Sequence, residues 1–205
     1  MKRLQGFLAA MCLAGTVLAS DVEPDVLVKS VTSEVLDIVR KDRDIQNGSA
    51  AKSAALVEAK VAPHFNFARM TQLALGREAR QVNPDQLKGL TDEFRKLLVR
   101  TYSKALTEFR DQEVSYKPFK MMVTETDVKV RTEVRQTGGK PIGLDYYLEK
   151  TAGGWKVYDM EVGGVSLVTN YRSSFAREIQ SAGVEGLLRS LQNKNKPGDS
   201  AAIAK

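Results

Sequence analysis

An α+β domain is what this sequence predicts, on two observations. Apolar residues recur at 3–4 spacing before residue 110 and again after Leu167, while strict two-residue alternation fills much of Val128 to Val162. Helices first and a hairpin-linked sheet afterwards define the class. With 205 residues, 42% of them apolar, the chain can build one domain around a real core.

The helices are well punctuated. Pro24 can open a helix with Val28, Val31, Val35 and Ile38 on one face, broken at Asn47-Gly48-Ser49. Ser49 can cap a second helix carrying Ala54, Leu56, Val57 and Val61, which Pro63 ends. Asn66 can cap a third, Phe67 to Leu75, stopped by Gly76. Asn83-Pro84-Asp85-Gln86 reads as a capping box with proline at the first helical position. The helix after it is expected to run to Arg110, about 27 residues or roughly 40 Å.

The sheet follows. Val128, Val130, Thr132 and Val134 alternate with charged residues, Gly138-Gly139 turns the chain, and Ile142, Leu144, Tyr146 and Leu148 resume the pattern. Thr151 to Gly154 turns again, into Trp155 to Val162, and Glu113 to Tyr116 and Met121 to Thr124 supply one or two earlier strands. This makes an antiparallel meander of four or five strands. Helix returns over Leu167 to Gln180, Gly183 ends it, and Val184 to Gln192 forms a last short helix.

Met1-Lys2-Arg3, the apolar stretch Phe7 to Ala19 and the small-residue site Val17-Leu18-Ala19 describe a cleaved signal peptide, residues 1–19. The stretch is shorter than the roughly 20 residues of a spanning helix, and no later segment is apolar enough to span. Residues 20–195 then form a single exported domain and 196–205 a flexible polar tail. Cleavage removes the one cysteine, Cys12, so the core must suffice without disulfides.

Little here supports catalysis. One His and one Cys exclude a His/Cys zinc cluster, an iron–sulfur site and a Cys–His nucleophile pair. His64 has no neighbour to form a nucleophile–base pair, Gly138-Gly139-Lys140 is too short for a phosphate loop, and Ser166 reads as a helix cap. Asp145, Asp159 and Glu161 are the only carboxylates on apolar-flanked strands, and the sequence allows Asp145 and Asp159 either as near cross-strand neighbours or equally on the wet face. The net charge of +6 is spread among acids with no basic run beyond two residues, which argues against nucleic acid. What stands out is apolar bulk with no polar site inside it. Periodicity does not separate a filled core from a lined cavity between sheet and helices.

A family resemblance bears on that choice. Gly154-Trp155-Lys156-Val157-Tyr158-Asp159, then Val165 to Phe175, Gly183 to Leu191 and Asn193-Lys194-Asn195 closely resemble the MlaC family of periplasmic phospholipid-binding, or toluene-tolerance, proteins. Phe65-Asn66-Phe67, Leu75-Gly76, Phe94 to Leu98 and Thr101-Tyr102 agree, so the likeness covers roughly residues 27–195. Departures from the family pattern fall at Glu78-Ala79 before Arg80, at Leu90 and at Gly163. The resemblance implies a monomeric carrier, not an enzyme, with glycerophospholipid as cargo and no cofactor or metal. Its implied partners are an outer-membrane lipoprotein–porin complex and an inner-membrane ABC-transporter complex, and its task the maintenance of outer-membrane lipid asymmetry.

On that reading the cavity wall is expected from three sources. The long helix gives Phe94, Leu97, Leu98, Thr101 and Leu106. The sheet gives Val130, Val134, Leu144, Tyr146, Leu148 and Val157, and the later helix Val165, Val168, Tyr171 and Phe175. Phe65, Phe67 and Met70 close one end, and Trp155 is a packing anchor. Arg172 is the candidate for the lipid phosphate, with a salt bridge to an acid as the competing role. The alternative function is an exported adaptor with a filled core that binds other envelope proteins.

Overall fold

The structure, a computed structural model, describes residues 22–136 and 138–196. The expected signal peptide, and the expected tail apart from Lys196, lie outside the described residues.

Capping chemistry sets the helix boundaries. α1 (Pro24–Lys41) starts on proline and ends on Arg40 and Lys41, charges that suit the negative end of the helix dipole. The sequence carried this helix on to Asn47, but Asp42 interrupts it. Its Oδ1 accepts from the backbone N–H of Asp44 and Ile45 at 2.9 and 3.1 Å and starts a one-turn helix, α2 (Arg43–Gln46). Ser49 caps α3 (Ala50–Leu56), which widens into a π turn over Val57–Val61 and then tightens to a 3-10 turn, Ala62–His64, around Pro63. Asn66 caps α4 (Phe67–Leu75) by accepting from Arg69 N at 3.0 Å. Gly76, at φ 58°, ends it in a conformation that a side chain would strain.

The capping box of Asn83 and Gln86 is present at the start of α5 (Pro84–Ser103). The expected single helix to Arg110 instead tightens to 3-10 geometry over Lys104–Glu108. Arg110 supplies the reason. Its Nη1 donates to the carbonyls of Thr107 and Phe109 at 2.7 and 2.8 Å, satisfying acceptors that the end of a helix leaves open.

The five strands β1 (Glu113–Tyr116), β2 (Asp127–Arg135), β3 (Ile142–Thr151), β4 (Gly154–Val162) and β5 (Val165–Ser166) form one antiparallel meander in chain order. Met121 to Thr124 is not a strand. Glu125 closes a turn there, donating its N–H to the Met122 carbonyl and accepting from Met122 N. Val134↔Ile142, Val130↔Tyr146 and Val128↔Leu148 pair across β2 and β3, so the predicted alternation does put these residues on one face. β4 departs from strict alternation. The register shifts between Tyr147 and Leu148, so that Leu148 faces Val157 while Tyr146 faces Met160. That bulge inserts one residue into β4 and turns Met160 and Val162 to the same face as Val157. Asp145 consequently pairs with Glu161 rather than Asp159, and Lys129 bridges both carboxylates at 2.8 and 3.1 Å.

α6 (Thr169–Lys194) bends at Gly183, φ 71° and ψ −179°, where the sequence placed a break between two helices. It packs on α4 and α5 around Phe94, whose ring meets Tyr171 and Phe175 edge-on at 5.0 and 5.1 Å. A second core cluster joins Val28 of α1 to Val128, Val130, Leu148, Trp155 and Val157. A third holds Val35, Val39 and Ile45.

Two polar clamps tie the helices to the sheet. Arg69 of α4 ion-pairs with Glu149 at 2.6 Å and Asp127 at 2.9 Å, while its guanidinium lies 3.5 Å from the Tyr158 ring centroid. Asp159 holds the turn into α6. Its Oδ1 accepts from Met160 N and Val168 N at 2.8 and 3.2 Å, and its Oδ2 accepts from the Ser166 hydroxyl at 2.6 Å. Ser166 Oγ in turn accepts from Thr169 N, the capping role its position suggested. Asp159→Ala leaves the buried Val168 N–H without its acceptor, so urea unfolding is expected to show a loss of about 1–3 kcal/mol.

Candidate functional site

The sheet and the helical layer touch at one end and part at the other. Contact is made where Asn66 N donates to the Val157 carbonyl at 2.8 Å and Phe65 bridges to Val157. Toward the opposite end of β2 and β3 the layers separate and enclose an apolar cavity with two connecting lobes. One lobe, about 380 Å³, lies under α1 against Leu27, Val31, Val35 and Leu36. The other, about 460 Å³, lies between the π turn, α4 and α5, against Val57, Ala62, Met70, Leu98, Val99 and Tyr102. Val61, Phe65, Ala105, Leu106, Val134, Ile142, Leu144 and Met160 border both.

Each wall follows from local structure. The π turn spaces Val57 and Val61 so that both reach the second lobe, and the 3-10 turn after α5 brings Ala105, Leu106 and Glu108 to the first. The mouth lies between that turn and the start of β3, where Ile142 is 43% exposed and Val162 39%. Val165, 58% exposed, pairs with Val162 just beyond.

Polarity is uneven. The first lobe carries Thr32, His64, Glu108, Gln112 and Gln136, whereas among the described residues the only polar side chains on the second are Tyr102 and Ser103. Burial, together with nearby Lys156, pulls the His64 imidazole below its ordinary range. The ring of Tyr146 stays partly open to the cavity while its hydroxyl is buried beside Thr32, and burial pushes that phenol up to about 12. Burial likewise raises Tyr171, whose hydroxyl meets Tyr102.

Of the residues expected on the wall, the structure brings together Phe65, Phe67, Met70, Leu98, Leu106, Val134, Leu144, Tyr146 and Val157. It places the others elsewhere. Phe94, Leu97, Val168 and Phe175 are packed inside the helical core, with Tyr171 against it, and Val130 and Leu148 are buried in the sheet cluster. Thr101 stands beside the Tyr171 hydroxyl, and Val165 sits outside the lobes on the lip. α6 therefore lies behind α4 and α5 rather than on the wall, because its apolar face closes on Phe94. Arg172 meets neither an open mouth nor an acid. Its Nε and Nη2 donate to the Leu73 carbonyl at 3.2 and 3.0 Å, capping the end of α4 across Gly76, where the absence of a side chain makes room.

The wall also holds residues the sequence reading missed. Met160 and Val162 were hidden by the β4 bulge. Val31 and Val35 stood in plain view in the α1 stripe, but helical period alone does not say what a stripe packs against. Among the described residues no group of three or more His, Cys, Asp or Glu side chains is placed to hold a metal ion, and no helix is long and apolar enough to cross a membrane.

A sequence model of the MlaC protein family matches residues 29–193. The chain belongs to the MlaC family. A curated MlaC relative, the intermembrane phospholipid transport system binding protein of Haemophilus influenzae, is 22% identical over 188 residues, 90% of this chain and 87% of that protein. The toluene tolerance protein ttg2D of Pseudomonas putida is 27% identical over 107 residues, 51% of this chain and 48% of its own. Among solved structures, the phospholipid-binding protein of Ralstonia solanacearum, in complex with a phospholipid, matches with a TM-score of 0.78. It is 39% identical, over 85% of this chain and 97% of that one. The α+β class read from the sequence is that of this MlaC fold, and the antiparallel meander expected with four or five strands has five.

The buried phenol on the wall gives a pH test. Tyr146 titrates near 10 when unfolded and at about 12 when folded, so it carries no penalty below pH 10. As pH climbs from 10 to 12 the unfolded chain ionises first and stability falls. Tyr146→Phe is expected to remove roughly 2 kcal/mol of that alkaline loss, read as a shallower decline in urea-unfolding free energy from pH 10 to 12.

Proposed function

We propose that this protein is an exported, periplasmic carrier that holds a glycerophospholipid by its acyl chains in the two-lobed cavity. It moves lipid between an outer-membrane lipoprotein–porin complex and an inner-membrane ABC-transporter complex, and so maintains outer-membrane lipid asymmetry. The observation that carries this reading is the cavity itself, with a second lobe that has no charged side chain on its wall. The phospholipid held by the Ralstonia solanacearum protein supports the class of ligand, and the Haemophilus influenzae relative's name supports transport between membranes.

Size and energy agree with the proposal. The larger lobe, about 460 Å³, falls within the roughly 300–1,000 Å³ of pockets that bury small ligands. Two such chains hold roughly 28 methylenes, and at about 0.8 kcal/mol each their exposure to water would cost on the order of 20 kcal/mol. Apolar walls offset most of that cost with no bond made or broken, so the task calls for no catalytic group. The sequence alternative, an adaptor with a filled core, finds no filled interior here.

Purified protein expressed in a Gram-negative host is expected to carry phospholipid, identified by native mass spectrometry and organic extraction. Leu144→Trp fills the space that both lobes share and is expected to cut co-purified lipid at least several-fold while the unfolding midpoint stays within the folded range. A lipid-free wild-type protein would sink the carrier reading.

A further inference from the structure

The lobes differ in the chemistry of their walls, and the difference fixes where the polar end of a ligand sits. Among the described residues the second lobe offers no charged side chain, so a phosphate there would lose its hydration with no charge to replace it. The first lobe reaches the mouth through Glu108, Gln112 and Gln136. Glu108 and Gln136 are exposed and Gln112 half-buried, so a headgroup beside them keeps its water.

Glu108 has the means to choose between headgroups. It belongs to the 3-10 turn Lys104–Glu108, in which residues three apart share a face. Ala105 and Glu108 are such a pair, and both border the first lobe. Among the described residues Glu108 has no ion-pair partner. Arg110, two residues on, is already engaged on the carbonyls of Thr107, Phe109 and Gln46. Lys104 opens the same turn but is not on the wall of either lobe, so Glu108 is the charged side chain that this turn presents to the mouth. Glu108 complements the ammonium of a zwitterionic headgroup whose phosphate stays in water at the rim. An anionic headgroup brings no ammonium and meets Glu108 as a like charge.

From this geometry we infer that the headgroup emerges at the Glu108–Gln112–Gln136 rim, and that Glu108 makes the cavity prefer ammonium-bearing zwitterionic phospholipid over anionic phospholipid. The inference rests on the carrier reading above. Since the contact is exposed to water, the preference is modest, about two- to five-fold, in keeping with the weak selectivity expected of an apolar cavity.

The test loads delipidated full-length mature protein from vesicles of equimolar phosphatidylethanolamine and phosphatidylglycerol with matched acyl chains, then measures the bound ratio by mass spectrometry. Wild type is expected to favour phosphatidylethanolamine two- to five-fold in 50 mM salt and to approach parity in 0.5 M salt. Glu108→Gln is expected to bring the ratio to about one and Glu108→Lys to invert it, while Asp92→Asn, a charge change on the outer side of α5, keeps the wild-type ratio. Lipid bound at one ratio by wild type and both Glu108 variants would overturn the headgroup assignment and leave the carrier reading standing. Absence of lipid from every protein would overturn both.

Discussion

An apolar void of this size is the constraint on which the rest of the structure depends. At about 24 cal/mol per Å³, a dry, empty 460 Å³ lobe would cost on the order of 11 kcal/mol, comparable to the whole stability of an ordinary domain. Water gains little on a wall with almost no polar partners. Such a space persists only if the walls are prevented from collapsing and an occupant supplies the missing contacts. The folded chain meets the first condition by putting its cohesion elsewhere. Phe94, Phe175 and Leu97 form a solid helical core behind the cavity, and Val128, Leu148 and Trp155 form another at its closed end.

The polar interactions serve the same geometry. Arg69, sandwiched between Glu149, Asp127 and the Tyr158 ring, pins α4 to the sheet on the closed side. Asn66 reinforces the joint, because its side chain both caps α4 and donates to Glu149 at 2.7 Å. Asp159 fixes the turn into α6, and Arg172 ties α6 back to the end of α4. No ion pair spans the open end between Ile142 and the 3-10 turn among the described residues. The molecule is therefore a wedge: clamped by charge and hydrogen bonds along one edge, and spread along the other, where apolar walls open onto the polar rim of Glu108, Gln112 and Gln136.

How much of this could be read from the chain depends on whether the signal was local. Asn66, Asn83-Pro84-Asp85-Gln86, Gly76 and Gly183 mark helix ends because capping and positive φ are decided within four residues, and the structure places each as read. The β2–β3 hairpin was equally legible in its alternation. The β4 bulge was not. An inserted residue leaves no mark in composition, yet it decides whether Met160 and Val162 face the cavity or water. Half of the expected wall residues lie elsewhere for a related reason. Phe94, Val168 and Phe175 have the same character as Leu98, Leu106 and Phe65, and only tertiary placement makes the first set core and the second set wall. Arg172 shows the converse, since a carbonyl left open at the end of α4 claims a guanidinium for which the sequence offered a phosphate or, in competition, an acid.

A carrier must also release what it holds, which limits how completely the cavity can close. Full enclosure of two chains would recover nearly the whole hydrophobic term and trap the cargo, because each methylene pulled into water on the way out costs about 0.8 kcal/mol. The exposed lip of Ile142, Val162 and Val165 changes that path. It continues the apolar wall past the mouth, so a chain that slides outward exchanges one apolar surface for another before it meets water. On the proposed reading these residues are left exposed at some cost in solubility because they lower the barrier to transfer. Rigid clamping at the closed edge and an apolar lip at the open one are then two halves of one requirement, that lipid be held well enough to cross water and loosely enough to leave.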